Sequence, residues 1–127
     1  MENRTTALRA IPGGDTSQRV EYRLGAADAN PYLALAAALG SGLYGVMQQW
    51  QPSEPVAGNA YSLELENEQV LPGTLWESTQ QFKASEAAQE LFGSDFVEHF
   101  SASREWEERE YRRHVSDWEL ERYFEII

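Results

Sequence analysis

Two short stretches near the start of the chain carry the residue pattern of β-strands. Residues 4–11 are mostly uncharged and partly β-branched, and residues 12–15 after them combine proline and glycine in a strong turn signal. In residues 19–23, with the sequence RVEYR, the period of two separates charged from apolar side chains. The charged face consists of Arg19, Glu21 and Arg23, and the apolar face of Val20, Tyr22 and Leu24. We therefore expect two antiparallel strands whose apolar face turns toward a core.

An uncharged helix is predicted after the strands. Asn30 is a favourable N-cap residue, and Pro31 suits the first helical position. Residues 32–47 are rich in alanine and leucine and contain no charged residue. A membrane span is the competing interpretation, but the run is short, weakly hydrophobic and not closely flanked by lysine or arginine. We expect the buried helix of a larger domain, which a chain of this size does not bury alone.

The second half of the chain predicts a long loop and then helices. Residues 51–72 contain prolines and an acidic tip at 64–68, which indicates a surface loop. Thr74 and Ser116 each open a capping box, and two helices lie between them, the longer beginning at Ser94. The last helix carries an apolar stripe that needs a partner surface, formed by Leu120, Tyr123, Phe124 and Ile127. The pattern predicts an α+β fold, with two N-terminal antiparallel strands followed by a mostly helical C-terminal region.

Composition restricts the class of protein. The length of 127 residues suits one domain, and a hydrophobic content of 42% is ordinary for a folded chain. A formal net charge of −11 argues against nucleic acid as a partner, so any anion site must be local. The absence of cysteine excludes disulfides and thiolate chemistry. Since the sequence shows neither a secretory signal nor a membrane span, we expect a cytoplasmic protein.

The charged face of the second strand is the candidate site. Glu21 is a hard oxygen ligand suited to a divalent cation, and its two flanking arginines offer planar forks for phosphate or carboxylate. Pairing of the strands would bring Arg4 or Arg9 close to them. An exposed, salt-bridged strand has the same pattern, and both interpretations stay open on the residues alone. His99 and His114 have no ligand partners at metal-site spacing and are expected at the surface.

Several segments, in order, resemble the last third of the catalytic domain of the glutamine synthetase family. They are residues 3–9 (NRTTALR), 19–23 (RVEYR), 27–33 (ADANPYL), 58–61 (GNAY) and 71–75 (LPGTL). The resemblance thus covers nearly the whole chain. The ending, residues 117–124 (DWELERYF), looks more like the γ-glutamyl-polyamine branch than the ammonia-assimilating enzymes.

The resemblance implies an ATP-dependent ligase. Members of the family use ATP and two divalent cations, Mg2+ or Mn2+, to make γ-glutamyl phosphate from glutamate, which ammonia or an amine then attacks. They assemble as large ring-shaped homo-oligomers. The resemblance makes Glu21 a ligand of the metal that faces the transferring phosphoryl group, and Arg4 the catalytic arginine that steadies that group. It places Arg9 and Arg19 on the nucleotide phosphates and Arg23 on the substrate glutamate. Phosphoryl transfer needs chiefly positioning and countercharge, which these residue types supply.

Two positions depart from the family pattern. Residues 13–18 lack the lysine that many relatives place shortly before the equivalent of Arg19, which puts nucleotide contacts there in doubt. Tyr61 aligns with a tyrosine that some bacterial members adenylylate. The loop around it does not look like theirs, so we expect Tyr61 to be unmodified.

The extent of the resemblance predicts how the chain relates to a complete enzyme. It implies that residues 1–127 are the C-terminal portion of the catalytic domain, without the N-terminal β-grasp domain and the first part of the catalytic domain. The isolated chain is then expected to be inactive. The alternatives are a truncated, non-enzymatic paralogue that binds partners or subunits, and an anion-binding domain unrelated to the family. The amine substrate stays undetermined.

Overall fold

The computed structural model describes residues 3–64 and 70–126, and the chain forms two compact units, Met1–Val70 and Leu71–Ile127. The first contains strands β1 (Leu8–Ile11) and β2 (Arg19–Tyr22), helix α1 (Pro31–Met47) and a short 3-10 turn (Ala60–Ser62). The second contains helices α2 (Leu75–Ala84), α3 (Glu86–Phe92), α4 (Ser94–Tyr111) and α5 (Asp117–Tyr123). The predicted α+β class, with an antiparallel strand pair before the helices, is confirmed.

The hairpin is shorter than the sequence predicts. β1 begins at Leu8, whereas a strand from residue 4 was expected. The difference arises because the Asn3 side-chain oxygen accepts hydrogen bonds from the backbone N–H of Thr5 (3.0 Å) and from its hydroxyl (2.6 Å). This local turn competes with extended backbone, so residues 4–7 form bends.

The prediction that the apolar face of the hairpin lies in a core is wrong for this chain. Leu8, Val20 and Tyr22 are 58%, 68% and 52% exposed. Alternation along a strand determines which side chains share a face, but a second layer must exist to cover that face. Two strands provide no such layer, so the apolar side stays accessible.

Helix α1 begins as predicted and is largely uncovered. The Asn30 side chain accepts from the backbone N–H of Tyr32 (3.0 Å) and of Leu33 (3.3 Å), and Pro31 occupies the first helical position. Among its described residues only Tyr44 is buried, and its ring packs edge-on against Trp50 at 5.5 Å. An apolar helix without a polar face in so small a chain remains exposed, as the sequence indicates.

The second unit has a small core between α2, α3 and α4. Its buried members are Thr79, Ala88, Val97 and Ser101, of which the last two are fully buried. These side chains are small, so the helix backbones can approach closely. Gly93, with φ of +80°, joins α3 to α4 in a backbone conformation that favours glycine.

The capping boxes predicted in this unit are both formed. The hydroxyls of Thr74 and Ser116 accept from the backbone N–H three residues on, and Glu77 and Glu119 bond back to the cap residues. The backbone N–H and then the hydroxyl of Ser116 lower the pKa of the Glu119 carboxyl. Local chemistry therefore determines where α2 and α5 begin.

The four-residue spacing along α4 suits two ion pairs within the helix, Glu105 with Arg109 and Glu108 with Arg112, and at Glu105 a contact between helices is found instead. Glu108 pairs with Arg112 at 2.8 Å, as the four-residue spacing predicts. Glu105 instead reaches across to α2, where its Oε1 accepts from Lys83 Nζ at 2.9 Å and from Gln80 Nε2 at 3.1 Å. Hydrogen bonds from Lys83 and then Gln80 lower the pKa of the Glu105 carboxyl. The contact ties α4 to α2 at the surface of this unit.

Two predicted features fall partly outside the described residues. Residues 65–69 of the acidic tip and Ile127 of the terminal stripe are not described. The remaining stripe residues, Leu120 and Tyr123 in α5 and Phe124 directly after it, are exposed, with Phe124 at 80%.

Candidate functional site

A cross-strand ion pair forms the centre of the candidate site. Arg9 lies directly opposite Glu21 in the antiparallel register, and Arg9 Nη2 stands 2.9 Å from Glu21 Oε2. The two side chains are 23% and 39% exposed, so water screens the pair only in part. Side chains at directly opposed positions of two antiparallel strands are neighbours, so opposite charges at these positions stabilise the pairing.

Arg23 occupies the other side of the same carboxylate. Its Nη1 donates to Glu21 Oε1 at 3.3 Å, and its Nη2 donates to the backbone carbonyl of Arg4 at 3.3 Å. The backbone N–H of Arg23 also donates to Ala7 O at 2.9 Å, which extends the hairpin contact beyond the strands. The guanidinium therefore bridges the central carboxylate and the bend before β1, a geometry that suits a planar fork.

Arg19 lies at the loop end of β2. It is paired in register with Ile11, and its Nη1 donates to the carbonyl of Ser17 at 3.2 Å. By strand alternation it belongs to the same face as Glu21. Of the residues predicted from sequence, the structure thus brings Arg9 and Arg23 into contact with Glu21 and places Arg19 at the loop end of the strand.

Arg4 is exposed and lies in the bend that precedes β1. Its backbone carbonyl joins the cluster through Arg23. Asn3 and Thr5, on either side of it, form the turn described above, and sequence reasoning did not assign them to the site. The sequence feature that could have identified them is an asparagine two residues before a threonine, which is the spacing of a turn stabilised by the asparagine side chain.

The same turn is bonded to a distant part of the chain. Asn3 Nδ2 donates to Val56 O (3.1 Å) and to Gly58 O (3.0 Å), and the backbone N–H of Ala60 donates to Thr5 Oγ1 at 2.9 Å. Gly58 has φ of +82°, a conformation that an L side chain rarely adopts. Residues 56–60 therefore lie against the bend that carries Arg4.

The distribution of charge favours an anion on this face. Arg4, Arg9, Arg19 and Arg23 are all the basic residues among the first 70 positions. Two of the four guanidiniums, those of Arg9 and Arg23, contact the Glu21 carboxylate, in a chain whose net charge is −11. Guanidinium groups bind phosphate and carboxylate oxygens in a planar, bidentate manner. The site can therefore hold an anion with several oxygens.

A family model for the catalytic domain of glutamine synthetase matches residues 1–123. The chain belongs to the glutamine synthetase family. The resemblance read from its motifs is thereby confirmed, and the interpretation as an unrelated anion-binding domain is wrong. The fold is that expected for a part of this catalytic domain.

Curated proteins similar to the chain include synthetases and amine ligases of the glutamine synthetase family. Type-1 glutamine synthetase 2 of Dictyostelium discoideum is 44% identical over 100% of this chain and 25% of its own length. A glutamate–isopropylamine ligase of a Pseudomonas species is 42% identical over 99% and 28%. The γ-glutamylethanolamide synthetase GlnA4 of Streptomyces coelicolor is 39% identical over 98% and 26%. The chain therefore spans about a quarter of the length of these relatives.

The glutamine synthetase family uses divalent cations, and the described residues do not form a cation site by themselves. No group of three or more histidine, cysteine, aspartate or glutamate side chains in residues 3–64 and 70–126 could hold a metal ion. Among residues 3–64 and 70–126, Glu21 is the one carboxylate seen in the cluster, and each of its oxygens lies within ion-pair distance of a guanidinium. Mg2+ takes six oxygen ligands in octahedral geometry, some of them water, so Glu21 can contribute only a small part of such a site.

The remainder of the described chain adds no competing site. His99 and His114 are exposed, which confirms their expected position at the surface. None of the described helices is both long and apolar enough to span a membrane.

Proposed function

We propose that this chain forms the C-terminal part of the catalytic domain of an ATP-dependent ligase, which joins glutamate to ammonia or another amine through γ-glutamyl phosphate. The observation that supports this most is the cluster in which Arg9 and Arg23 flank Glu21, in a chain whose residues 1–123 match the family. The names of the relatives, which include glutamine synthetases and glutamate–amine ligases, support the reaction class.

Arg4, Arg9 and Arg19 are the residues we assign to phosphate groups. Arg4 steadies the transferring phosphoryl group, and Arg9 and Arg19 hold the nucleotide phosphates. Charge spreads over the phosphoryl oxygens in the transition state, and preorganised donors stabilise that charge without reorganising during the reaction. Their concentration in and just before one hairpin supports the assignment, since these three residues and Arg23 are all the basic side chains of residues 1–70.

Arg23 and Glu21 are assigned to the substrate carboxylate and to a metal ion. The Arg23 guanidinium offers the planar fork that a carboxylate of glutamate requires. Glu21 supplies one oxygen ligand, and the other ligands come from the part of the relatives' length that this chain does not span. The bound cation would neutralise phosphate charge beside the arginines. We propose a cytoplasmic homo-oligomer as the state of the whole protein.

The test uses the whole natural protein that contains these residues. Release of ADP is measured with glutamate, Mg2+ and, separately, ammonia, putrescine, ethanolamine or isopropylamine, and the preferred amine is the one with the highest kcat/KM. Glu21→Ala is expected to abolish turnover at the Mg2+ concentration that saturates the parent protein, and any residual turnover should require more Mg2+. Arg23→Ala is expected chiefly to raise the KM for glutamate, because it removes a contact to that substrate.

Glu108→Ala is the matched control, since it removes a glutamate that is also paired with an arginine but lies in the second unit. It should leave the Mg2+ requirement unchanged. Unchanged turnover in Glu21→Ala would remove the metal role. No turnover by the whole protein with any amine would favour the non-enzymatic paralogue. The 127-residue chain alone is expected to be inactive.

A further inference from the structure

The bend that carries Arg4 is held from two sides. On one side, Arg23 Nη2 donates to the Arg4 carbonyl, and the same guanidinium donates to Glu21. On the other side, Asn3 and Thr5, the two neighbours of Arg4, bond to residues 56–60. The backbone at Arg4 is thus hydrogen-bonded to the hairpin through its own carbonyl and to the 56–60 segment through its two chain neighbours.

The Asn3 side chain uses its full hydrogen-bonding capacity in this series. Its oxygen accepts from the N–H and hydroxyl of Thr5, and its NH2 group donates to the carbonyls of Val56 and Gly58. A primary amide has two donor hydrogens and two acceptor lone pairs, and all four are engaged. Its orientation is therefore determined by its partners on both sides.

The Thr5 hydroxyl links the Asn3 side chain to the backbone of residues 56–60. It donates to Asn3 Oδ1 at 2.6 Å and accepts from the backbone N–H of Ala60 at 2.9 Å. Both contacts belong to a single oxygen atom and are part-buried. The position of residues 56–60 therefore affects the turn in which Arg4 stands.

We propose that Asn3 and Thr5 are positioning residues that hold Arg4 for phosphoryl transfer, and that residues 56–60 form the support against which they act. This rests on the role proposed for Arg4 above. Neither side chain needs to contact substrate. They fix the backbone on both sides of the arginine, which is how a supporting hydrogen-bond shell preorganises a catalytic group.

The first test compares Thr5→Val with Thr5→Ser in the whole natural protein. Valine has the shape of threonine without the hydroxyl, whereas serine keeps the hydroxyl. Because Arg4 acts on the transferring group, Thr5→Val should lower kcat about fivefold to tenfold and leave the KM values for glutamate and ATP nearly unchanged. Thr5→Ser should restore most of kcat. Equal kcat in Thr5→Val and the parent protein would overturn the proposal.

Gly58→Ala tests the support at a distance from Arg4. It strains the backbone at φ +82° and displaces a carbonyl to which Asn3 donates. Gly93→Ala is the matched control, because Gly93 also has a positive φ, of +80°, and also has open space at the Cβ position, but lies between α3 and α4. The proposal expects a lower kcat in Gly58→Ala alone. An equal loss in both variants would mean that general destabilisation is the cause.

A double variant separates failure of this inference from failure of the proposed function. If Thr5 acts through Arg4, Thr5→Val should lower the residual kcat of Arg4→Ala by less than twofold. A full fivefold to tenfold further loss would overturn the positioning role. If Arg4→Ala itself leaves kcat unchanged, then the role proposed for Arg4 is wrong, and the positioning role falls with it. If Arg4→Ala lowers kcat but Thr5→Val does not, only the positioning role is wrong.

Discussion

Replacing Ser101 with alanine should stabilise the packing of α2 against α4. Ser101 is fully buried, and its hydroxyl has no hydrogen-bond partner among the described residues. A buried polar group without a partner costs about 1–3 kcal/mol. Alanine removes that cost and is also the better helix former, by up to ~0.7 kcal/mol.

The opposing term is the loss of packing around one oxygen atom. Each lost heavy-atom contact is worth about 0.1–0.2 kcal/mol, so several contacts amount to roughly 0.5–1 kcal/mol. The net gain for Ser101→Ala is therefore between about 0 and 3 kcal/mol, and the central value of about 1.5 kcal/mol corresponds to about a tenfold change in a local opening equilibrium. Hydrogen exchange followed by mass spectrometry on peptides from α2 and α4 measures this directly in the whole natural protein.

Thr79→Val is the matched control for this change. Thr79 is also buried, but its hydroxyl donates to the Leu75 carbonyl at 2.7 Å. Losing that hydrogen bond costs about 0.5–1.5 kcal/mol, and burying a methyl group in its place returns about 0.8 kcal/mol. Protection of α2 and α4 should therefore change little. Slower exchange in Thr79→Val than in Ser101→Ala, or faster exchange in Ser101→Ala than in the parent, would refute the reasoning.

Three further predictions concern charge and capping. Glu105→Gln should lower the melting temperature at neutral pH, and Glu107→Gln is the control for loss of charge from the same helix. Contacts with α2 lower the folded pKa of Glu105, so the stability that its carboxylate contributes is present above the unfolded pKa and is lost as pH falls through the folded pKa. The difference in melting temperature between Glu105→Gln and the parent should therefore vanish in acid. A difference that persists in acid would contradict this. Asn30→Ala should weaken the first turn of α1 by about 1 kcal/mol, measured by amide exchange. Asn30→Asp keeps the side-chain acceptor and should not weaken that turn. Equal exchange in the two variants would show that the Asn30 side chain does not stabilise the helix as an N-cap. Arg23→Lys should lower kcat/KM about tenfold, since an ammonium does not bridge two acceptors as a planar fork does, and full activity in the lysine variant would exclude the bridging role.

Sequence reasoning succeeded where a structural signal is contained within a few residues. The helix starts at Asn30, Thr74 and Ser116 were predicted because a cap is satisfied by backbone atoms two or three positions away. Pairing of the adjacent strands predicted that Arg4 or Arg9 would lie near Arg19 and Arg23, and the structure places Arg9 opposite Glu21, which lies between those two arginines in β2. These are local or nearly local consequences of residue type and spacing.

The failures concern contacts between distant parts of the chain. Alternation shows that Val20 and Tyr22 share a face, but it says nothing about what covers that face. The bonds from Asn3 to residues 56–60 span more than 50 positions and leave no pattern in either segment. The spacing of Glu105 and Arg109 suited a pair within one helix, but Lys83 on a neighbouring helix became the partner. In each case the outcome depends on tertiary structure, which a local sequence pattern does not contain.

The span of the Asn3 and Thr5 contacts also determines the order in which the cluster can form during synthesis. The hairpin needs only the first two dozen residues, whereas the Thr5 hydroxyl receives the Ala60 N–H from 55 positions later. At ribosomal rates of 5–20 residues per second, that interval is roughly 3–11 s. Closing such a loop carries an entropy cost that the hairpin does not. Hairpin formation and anchoring of the Arg4 bend are therefore separate events in folding, with α1 made between them.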